Sequence, residues 1–404
     1  MISTSVRASF QFSKLIDPVD LDEFIGRDFE RRPLYIHRDN GDYFADLLTA
    51  GDIDELFQCE ALSRSILRVN KEGKEVHQDQ FSDSYDGVRL DRVSNARLLK
   101  LFEGGHTIII NNGNLVFPNL DRYCSELERE LQFRVQPNIY VTPFNAQGFN
   151  THYDNHDVCI LQIMGSKNWR VFHSPVELPS KRQSFVPGTV YPLEAPKVAV
   201  TLTPGDTLYI PRGFLHDAAT DGTTSAHITM GLHPPYRFDL LEELTRLAQD
   251  TPAFRQAVPH GLVPDRGEAV AEFKRLVNDL VDRMDIDDLL ARRYRAFVEN
   301  RHLDTRGRFK DLARLNQVSV NTVVRKRPGV LYQVEHEDHS LVVIFSGNRI
   351  PVQPFLNDAL ESVLGDQPFA VRDIQGFLSN TARLELATRF LRTGFLEIVE
   401  LNGE

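Results

Sequence analysis

The sequence predicts an α+β fold with a β-rich centre, and three observations carry that prediction. Between about 135 and 235, short alternating or apolar runs are separated by Gly and Pro turns. From Phe238 to about Asn300 the apolar residues fall at steps of three and four, the period of a helix. The parts before 130 and after 300 mix short helical and strand patterns. A length of 404 residues exceeds one ordinary core, so two or three domains are expected.

The first part reads as mostly helical. Leu15–Phe29 carries Pro18, Asp20 and Asp22 ahead of an apolar pattern, a helix start. Asp52–Phe57 and Ala96–Phe102 are short helices. Thr107–Ile110 is a β-branched strand stopped by Asn111-Asn112-Gly113, and Leu120–Leu131 is helical. In the centre, Gln136–Thr142 alternates, with Asn138, Tyr140 and Thr142 on one face. Val158–Met164 is an apolar strand ending at Gly165, Trp169–Phe172 resumes it, Thr207–Ile210 follows the Pro204-Gly205-Asp206 turn, and Ser225–Met230 alternates again. Many short strands between such turns point to a barrel or a double-sheet jelly roll of cupin type. Beyond it, Val270, Phe273, Val277, Leu280, Val281 and Met284 form one apolar stripe, in a region that Pro252, Pro259 and Pro264 divide into separate helices. In the last hundred residues Ser319–Val324, Leu341–Phe345 and Phe395–Val399 read as strands, and Leu356–Leu364 and Asn380–Arg392 as helices.

Composition narrows the function classes. Hydrophobic residues make up 41% and charged residues 25%, the balance of a folded chain. No apolar run reaches the ~20 residues that cross a bilayer, and Met1–Arg7 does not read as a signal peptide. Three cysteines, Cys59, Cys124 and Cys159, are too few and too scattered for a disulfide framework, which suits a reducing cytoplasm. A net charge of −11 disfavours broad phosphate-backbone binding and is compatible with a basic protein partner.

The chemistry concentrates in Gln147-Gly-Phe-Asn-Thr-His152-Tyr-Asp154 and, sixty-odd residues later, Pro211-Arg-Gly-Phe-Leu-His216. Residues two apart on a strand point the same way, so His152 and Asp154 are expected to project together, and a strand on the opposite side of a barrel can bring His216 to them. Two imidazoles and one carboxylate on one face of a metal leave three octahedral positions open, as non-haem Fe(II) oxygenases require. An isolated HxD is often accidental. Here an apolar strand leads to the distant His, the surroundings are β-rich, and the cation Lys167 stands at the far end of the strand pair.

These stretches resemble a known family. His152-Tyr-Asp154-Asn-His-Asp-Val-Cys-Ile-Leu-Gln-Ile-Met-Gly165-Ser-Lys167-Asn-Trp169 is similar to the core motif of the Jumonji-C oxygenases, in the cupin-4 branch that contains the ribosomal oxygenases. Pro204–His216 looks like their second metal motif, Ser225-Ala-His227-Ile-Thr229 like the strand after it, and Arg31-Arg-Pro-Leu34 like their N-terminal motif. The resemblance implies a double-stranded β-helix oxygenase domain with an N-terminal helical part (1–236), a helical dimerisation segment (237–300) and a winged-helix-like C-terminal domain (301–404). It implies Fe(II) on His152, Asp154 and His216, with 2-oxoglutarate and O₂ as co-substrates and a ribosomal-protein Arg or His as the hydroxylated side chain. Cys159, where a Phe is common, and Phe149-Asn150-Thr151 depart from the pattern and put the substrate in doubt.

Several roles follow as expectations. The distal carboxylate of 2-oxoglutarate needs a buried cation, and Lys167 is the match. Tyr140 and Asn138, on the inward face, are co-substrate hydrogen-bond donors or ordinary strand residues. His227 and Thr229 line the pocket, and His156 stands behind the ligands. His336 and His339, in Glu335-His-Glu-Asp-His, read as a solvated loop, and Trp169 as core. Rival readings are a cupin isomerase or hydrolase, an oxygenase acting on a biosynthetic peptide or small molecule, and a non-catalytic winged-helix binding protein. In 301–404 the basic and acidic residues balance, so a DNA-reading winged helix is not expected there. The expected state is a cytoplasmic homodimer without nucleic acid or membrane partners.

Overall fold

The computed structural model describes residues 11–58, 62–85, 88–257, 266–337 and 339–401. Met1–Arg7, Cys59, Pro259 and Pro264 therefore lie outside the described residues. The chain divides into two compact units, Met1–His233 and Pro234–Glu404.

Among the described residues the first unit has thirteen strands: β1 (Leu34–Ile36), β2 (Leu67–Lys71), β3 (Lys74–Glu75), β4 (Ser82–Tyr85), β5 (Val88–Val93), β6 (Thr107–Ile110), β7 (Arg134–Thr142), β8 (Asp157–Met164), β9 (Lys167–Val171), β10 (Val198–Leu202), β11 (Thr207–Ile210), β12 (His216–Ala219) and β13 (Ser225–His233). Eight of them form one antiparallel sheet in the order β1-β11-β8-β13-β7-β6-β2-β3, and three form a smaller sheet, β10-β9-β12. Strand β8 shows why its sequence runs apolar rather than alternating. Cys159 and Leu161 face the main core, with Ile139, Ile228 and Met230, whereas Val158 and Ile160 face a second cluster with Trp169, Val171, Leu202, Leu208 and Ile210. A strand buried on both faces has no polar side to show. Helices Gln11–Ile16, Leu21–Arg27 and Pro118–Leu131 cover the outer face through Phe12, Leu15, Phe24, Leu120 and Leu127. The face turned inward is left for the site.

Local chemistry sets the element ends. The helix expected over Leu15–Phe29 is two helices, because Pro18 has no N–H to continue the first. The Asp20 side chain caps the second by accepting from the backbone N–H groups of Asp22 and Glu23. The β8–β9 turn depends on Gly165, whose φ is +59° and whose missing Cβ would lie 1.9 Å from the Thr224 carbonyl oxygen.

The second unit has its own core, from Val298 through Phe345, Phe390 and Phe395 to Leu396. Its long helices are Arg237–Asp250, Arg266–Asp282 and Ile286–Asn300. They are followed by two three-stranded sheets and by helices Asn357–Leu364 and Asn380–Thr393. The apolar stripe of the middle helix differs from expectation in two respects. Met284 lies past the helix end, and Val270, Phe273 and Val281 are exposed, leaving Leu280 as its buried member. The strand expected over Ser319–Val324 begins at Val323, because residues 319–322 close a turn in which the Ser319 N–H donates to Thr322 Oγ1 at 2.9 Å. His336 sits on strand Gln333–Glu337, exposed, rather than in a loop; His339 is in the turn after it.

Candidate metal centre

His152 and His216 are direct neighbours in the backbone rather than residues from opposite walls. They form an isolated antiparallel bridge, with the His152 N–H donating to the His216 carbonyl at 3.1 Å and the His216 N–H returning to the His152 carbonyl at 2.8 Å. The expectation that His152 and Asp154 share a regular strand is corrected accordingly. The segment after the bridge is irregular, and Asp154 is held because its carbonyl accepts the Gly213 N–H at 2.9 Å. Gly213 makes that turn possible with φ +88°, since a Cβ there would lie 2.3 Å from the Val176 carbonyl oxygen.

Each imidazole is oriented by a carbonyl two residues before it. His152 Nδ1 lies 2.9 Å from the Asn150 oxygen, and His216 Nδ1 lies 3.0 Å from the Phe214 oxygen. A carbonyl only accepts, so both Nδ1 atoms carry the proton and both Nε2 lone pairs are free to bind a metal. His216 Nε2 is 3.7 Å from Asp154 Oδ2, and one ligand atom from each of His152, Asp154 and His216 lies within 4.8 Å of the others. Burial, reinforced by His152, pulls the His216 pKa down to about 4, so the ring is neutral at physiological pH. Burial alone would raise the Asp154 pKa. The imidazoles of His152, His156, His216 and His233 outweigh it and hold the carboxyl below its usual range. Two imidazoles and one carboxylate, without a thiolate, suit a divalent first-row metal that keeps open positions.

The triad opens into a cavity of about 910 Å³ that also contains Lys167, Tyr140, Trp169, His227 and Thr229. Lys167 is 4% exposed, and its Nζ donates to Thr142 Oγ1 at 2.9 Å. Burial brings its pKa down to about 7. A lone ammonium in such a wall is costly unless an anion joins it. The Tyr140 ring stacks on His227 at 4.9 Å with 2° between planes, and burial keeps its phenol protonated. The His227 Nδ1 and Trp169 Nε1 atoms are buried without a hydrogen-bond partner, so the cavity wall retains unmet polar capacity. Trp169 is thus both core and wall.

Asn138 is the residue that the structure places elsewhere. It is not among the cavity-lining residues, and its Oδ1 accepts the Asn112 N–H at 3.0 Å, closing the turn after β6. His156 stacks on His233 at 4.5 Å, behind the triad and within its field.

Two groups of lining residues escaped the sequence reading. The β2–β3 hairpin brings Arg68, Asn70 and Glu75 to the cavity mouth, with Arg68 and Glu75 joined by hydrogen bonds of 3.0 and 2.7 Å. Lys71-Glu-Gly-Lys74 was a legible turn signal, with Gly73 at φ +75°, but nothing in it announces a site. An irregular strap over 184–193 contributes Phe185, Val190 and Tyr191. Its Phe185 and Tyr191 pack with Tyr153, and the Tyr153 hydroxyl donates to the Gln183 carbonyl at 3.1 Å.

Residues 112–240 match the family model of the JmjC domain, a stretch that includes the triad, Tyr140 and Lys167. The bifunctional lysine-specific demethylase and histidyl-hydroxylase NO66 of Culex quinquefasciatus is 29% identical over 314 residues, which cover 70% of this chain and 47% of that protein. Ribosomal oxygenase 1 of Homo sapiens is 26% identical over 291 residues, covering 67% of this chain and 43% of its own length. The chain therefore spans about half the length of the curated relatives it matches. Among solved structures, the ribosomal oxygenase YcfD of Escherichia coli superposes with a TM-score of 0.54 at 17% identity, covering 95% of this chain and 98% of that one. The same protein in complex with cobalt and 2-oxoglutarate gives 0.54 at 16% identity, with 95% and 99% covered. The Jumonji-C resemblance and the mixed α and β cupin-type fold are borne out.

Proposed function

We propose that this chain is an Fe(II)- and 2-oxoglutarate-dependent oxygenase that hydroxylates a side chain of a protein or peptide, with a ribosomal-protein Arg or His as the target. The observation that carries the reading is the pairing, in one cavity, of a pre-oriented two-His, one-carboxylate triad with a buried lysine that has no carboxylate partner among the described residues. His152, Asp154 and His216 would hold the iron, and Lys167 would bind the distal carboxylate of 2-oxoglutarate. Bound iron with its co-substrate supplies the oxidation of an unactivated C–H bond; the protein supplies orientation and excludes water. Tyr140 is the second co-substrate donor in this reading. Asn138 is not, since it does not line the cavity and its side chain is turned to the Asn112 N–H. Lysine in this position disfavours a hydrolase or isomerase of the same fold, which has no use for a buried carboxylate anchor.

Of the two target side chains, the cavity favours imidazole. Its carboxylates are engaged: Glu75 with Arg68, Asp217 with Arg170 at 2.8 Å, and Asp154 among imidazoles. A guanidinium would enter without a counter-ion, whereas an imidazole can enter neutral. Basic ribosomal-protein fragments carrying either residue, incubated with Fe(II), 2-oxoglutarate and O₂, are expected to gain the mass of one oxygen on histidine, with matching 2-oxoglutarate turnover. Coupled turnover on a free amino acid and on no peptide would overturn the protein-substrate reading.

The remaining features complete the proposal. We take 1–236 as the oxygenase domain, 237–300 as a dimerisation segment and 301–404 as a winged-helix-like domain, in a cytoplasmic protein. No helix among the described residues is long and apolar enough to cross a membrane. Val270, Phe273 and Val281, at 51%, 57% and 44% exposure, put a strip of apolar surface on one helix, the kind of surface a second copy covers. Sedimentation is expected to give a homodimer, and Phe273→Glu to shift it toward monomer. A monomeric wild type at tens of micromolar would contradict this.

A further inference from the structure

Lys167, the first residue of β9, is fixed from the neighbouring sheet. Thr142, the last residue of β7, is fully buried. Its Oγ1 accepts from Lys167 Nζ at 2.9 Å and from Thr107 Oγ1, on β6, at 3.1 Å. Thr107 is itself buried, and glycine at 148 leaves its hydroxyl the room it needs, since a Cβ there would lie 2.8 Å from the oxygen. A row of three polar groups thus links two cavity-lining residues, Lys167 and Thr107, through the buried Thr142. An ammonium has three N–H bonds to satisfy. Among the described residues, Thr142 Oγ1 is the acceptor that the buried Nζ has. The other elements around Lys167 make no hydrogen bond to its ammonium among the described residues. β10 sets Leu202 opposite it, and β9 offers the Trp169 ring, whose centroid is 5.9 Å away. β13 presents His227, which burial, helped by Lys167, holds uncharged, and Tyr140 of β7 lies stacked behind it.

We propose that Thr142 is a positioning residue for the dicarboxylate co-substrate: its hydroxyl oxygen anchors the Lys167 ammonium so that the remaining N–H bonds serve the ligand. The inference rests on the reading of Lys167 as the carboxylate anchor. Valine at 142 would fill nearly the same volume and offer no acceptor. Burial already brings Lys167 down to about 7, and without Thr142 the ammonium would face that burial with no partner at all.

The chain's single tryptophan makes the test direct, since Trp169 lines the cavity beside Lys167. The full chain is loaded with Mn(II) and titrated with 2-oxoglutarate, and Trp169 fluorescence is followed. Thr142→Val is expected to weaken binding about tenfold at pH 7, the scale of one hydrogen bond to a charged group. The ratio to wild type should widen from pH 6 to pH 8, as more Lys167 becomes neutral in the variant. Thr142→Ser should restore binding. If circular dichroism shows the valine variant unfolded, Thr142→Ala carries the same expectation. Wild-type affinity in Thr142→Val or in its alanine substitute, or serine as weak as valine, overturns the proposal. Lys167→Ala separates the two readings: if it binds as wild type, the anchor reading itself falls; if it alone is weak, only the role of Thr142 does.

Discussion

Replacing either His152 or Asp154 with alanine is expected to abolish 2-oxoglutarate turnover while leaving the fold in place. The site has one carboxylate and two imidazoles, and each imidazole is committed to its metal-facing orientation by a backbone carbonyl. A residue that merely hydrogen-bonds a metal ligand costs about 10–100-fold in affinity or activity when removed, so loss of a ligand should exceed about a hundredfold. The fold should tolerate the change, because the bridge between residues 152 and 216 is made by backbone groups that alanine retains. Metal content after loading with Fe(II) and desalting, read beside the thermal melt, distinguishes a lost ligand from a lost fold. Full decarboxylation of 2-oxoglutarate by both variants would remove the triad from the mechanism. Metal retained with activity gone would move these residues from coordination to some other step.

Much of the first unit was legible because its strands obey simple rules. Thr107–Ile110 is β-branched and stops at Asn-Asn-Gly, and Thr207–Ile210 follows a Pro-Gly-Asp turn; both strands have those bounds in the structure. Strand β12 was invisible for the opposite reason. His216-Asp-Ala-Ala has no β-branched residue, and it is a strand only because β9 pairs with it. The triad could be read from identity and spacing, but not its construction. The expected strand periodicity brought His152 and Asp154 together for the wrong reason, since the Gly213 N–H and the His216 backbone hold that irregular segment. Asn138 failed through the same periodicity. It shares a face with Tyr140, yet its side chain turns to the Asn112 N–H, a local contact that no strand pattern encodes. The strap over 184–193 has no periodicity of its own; aromatic contacts to Tyr153 place it, and those are tertiary facts.

Removal of the cavity's cation should be the other large effect. Lys167→Ala is expected to weaken 2-oxoglutarate binding by about one to two orders of magnitude, as a hydrogen bond to a charged group is worth roughly 1.5–3 kcal/mol. Metal binding should be nearly unchanged, because the Lys167 ammonium is hydrogen-bonded to Thr142 and, among the described residues, to no member of the triad. The pH dependence gives a sharper sign. Burial brings the Lys167 pKa down to about 7. Below that value the ammonium is already charged, and a carboxylate binds without proton uptake. Above it, binding must recharge the amine, so wild-type affinity falls with rising pH, approaching about tenfold per unit. His227 cannot produce the same profile, since burial holds its pKa well below the usual imidazole range. The alanine variant should therefore bind weakly and almost independently of pH between about 6 and 9. Calorimetric titrations of wild type and variant across that range, with Mn(II) in place of iron, check both the magnitude and the slope. An unchanged affinity in Lys167→Ala, or a variant that keeps the wild-type pH slope, would assign the carboxylate to another group in the cavity.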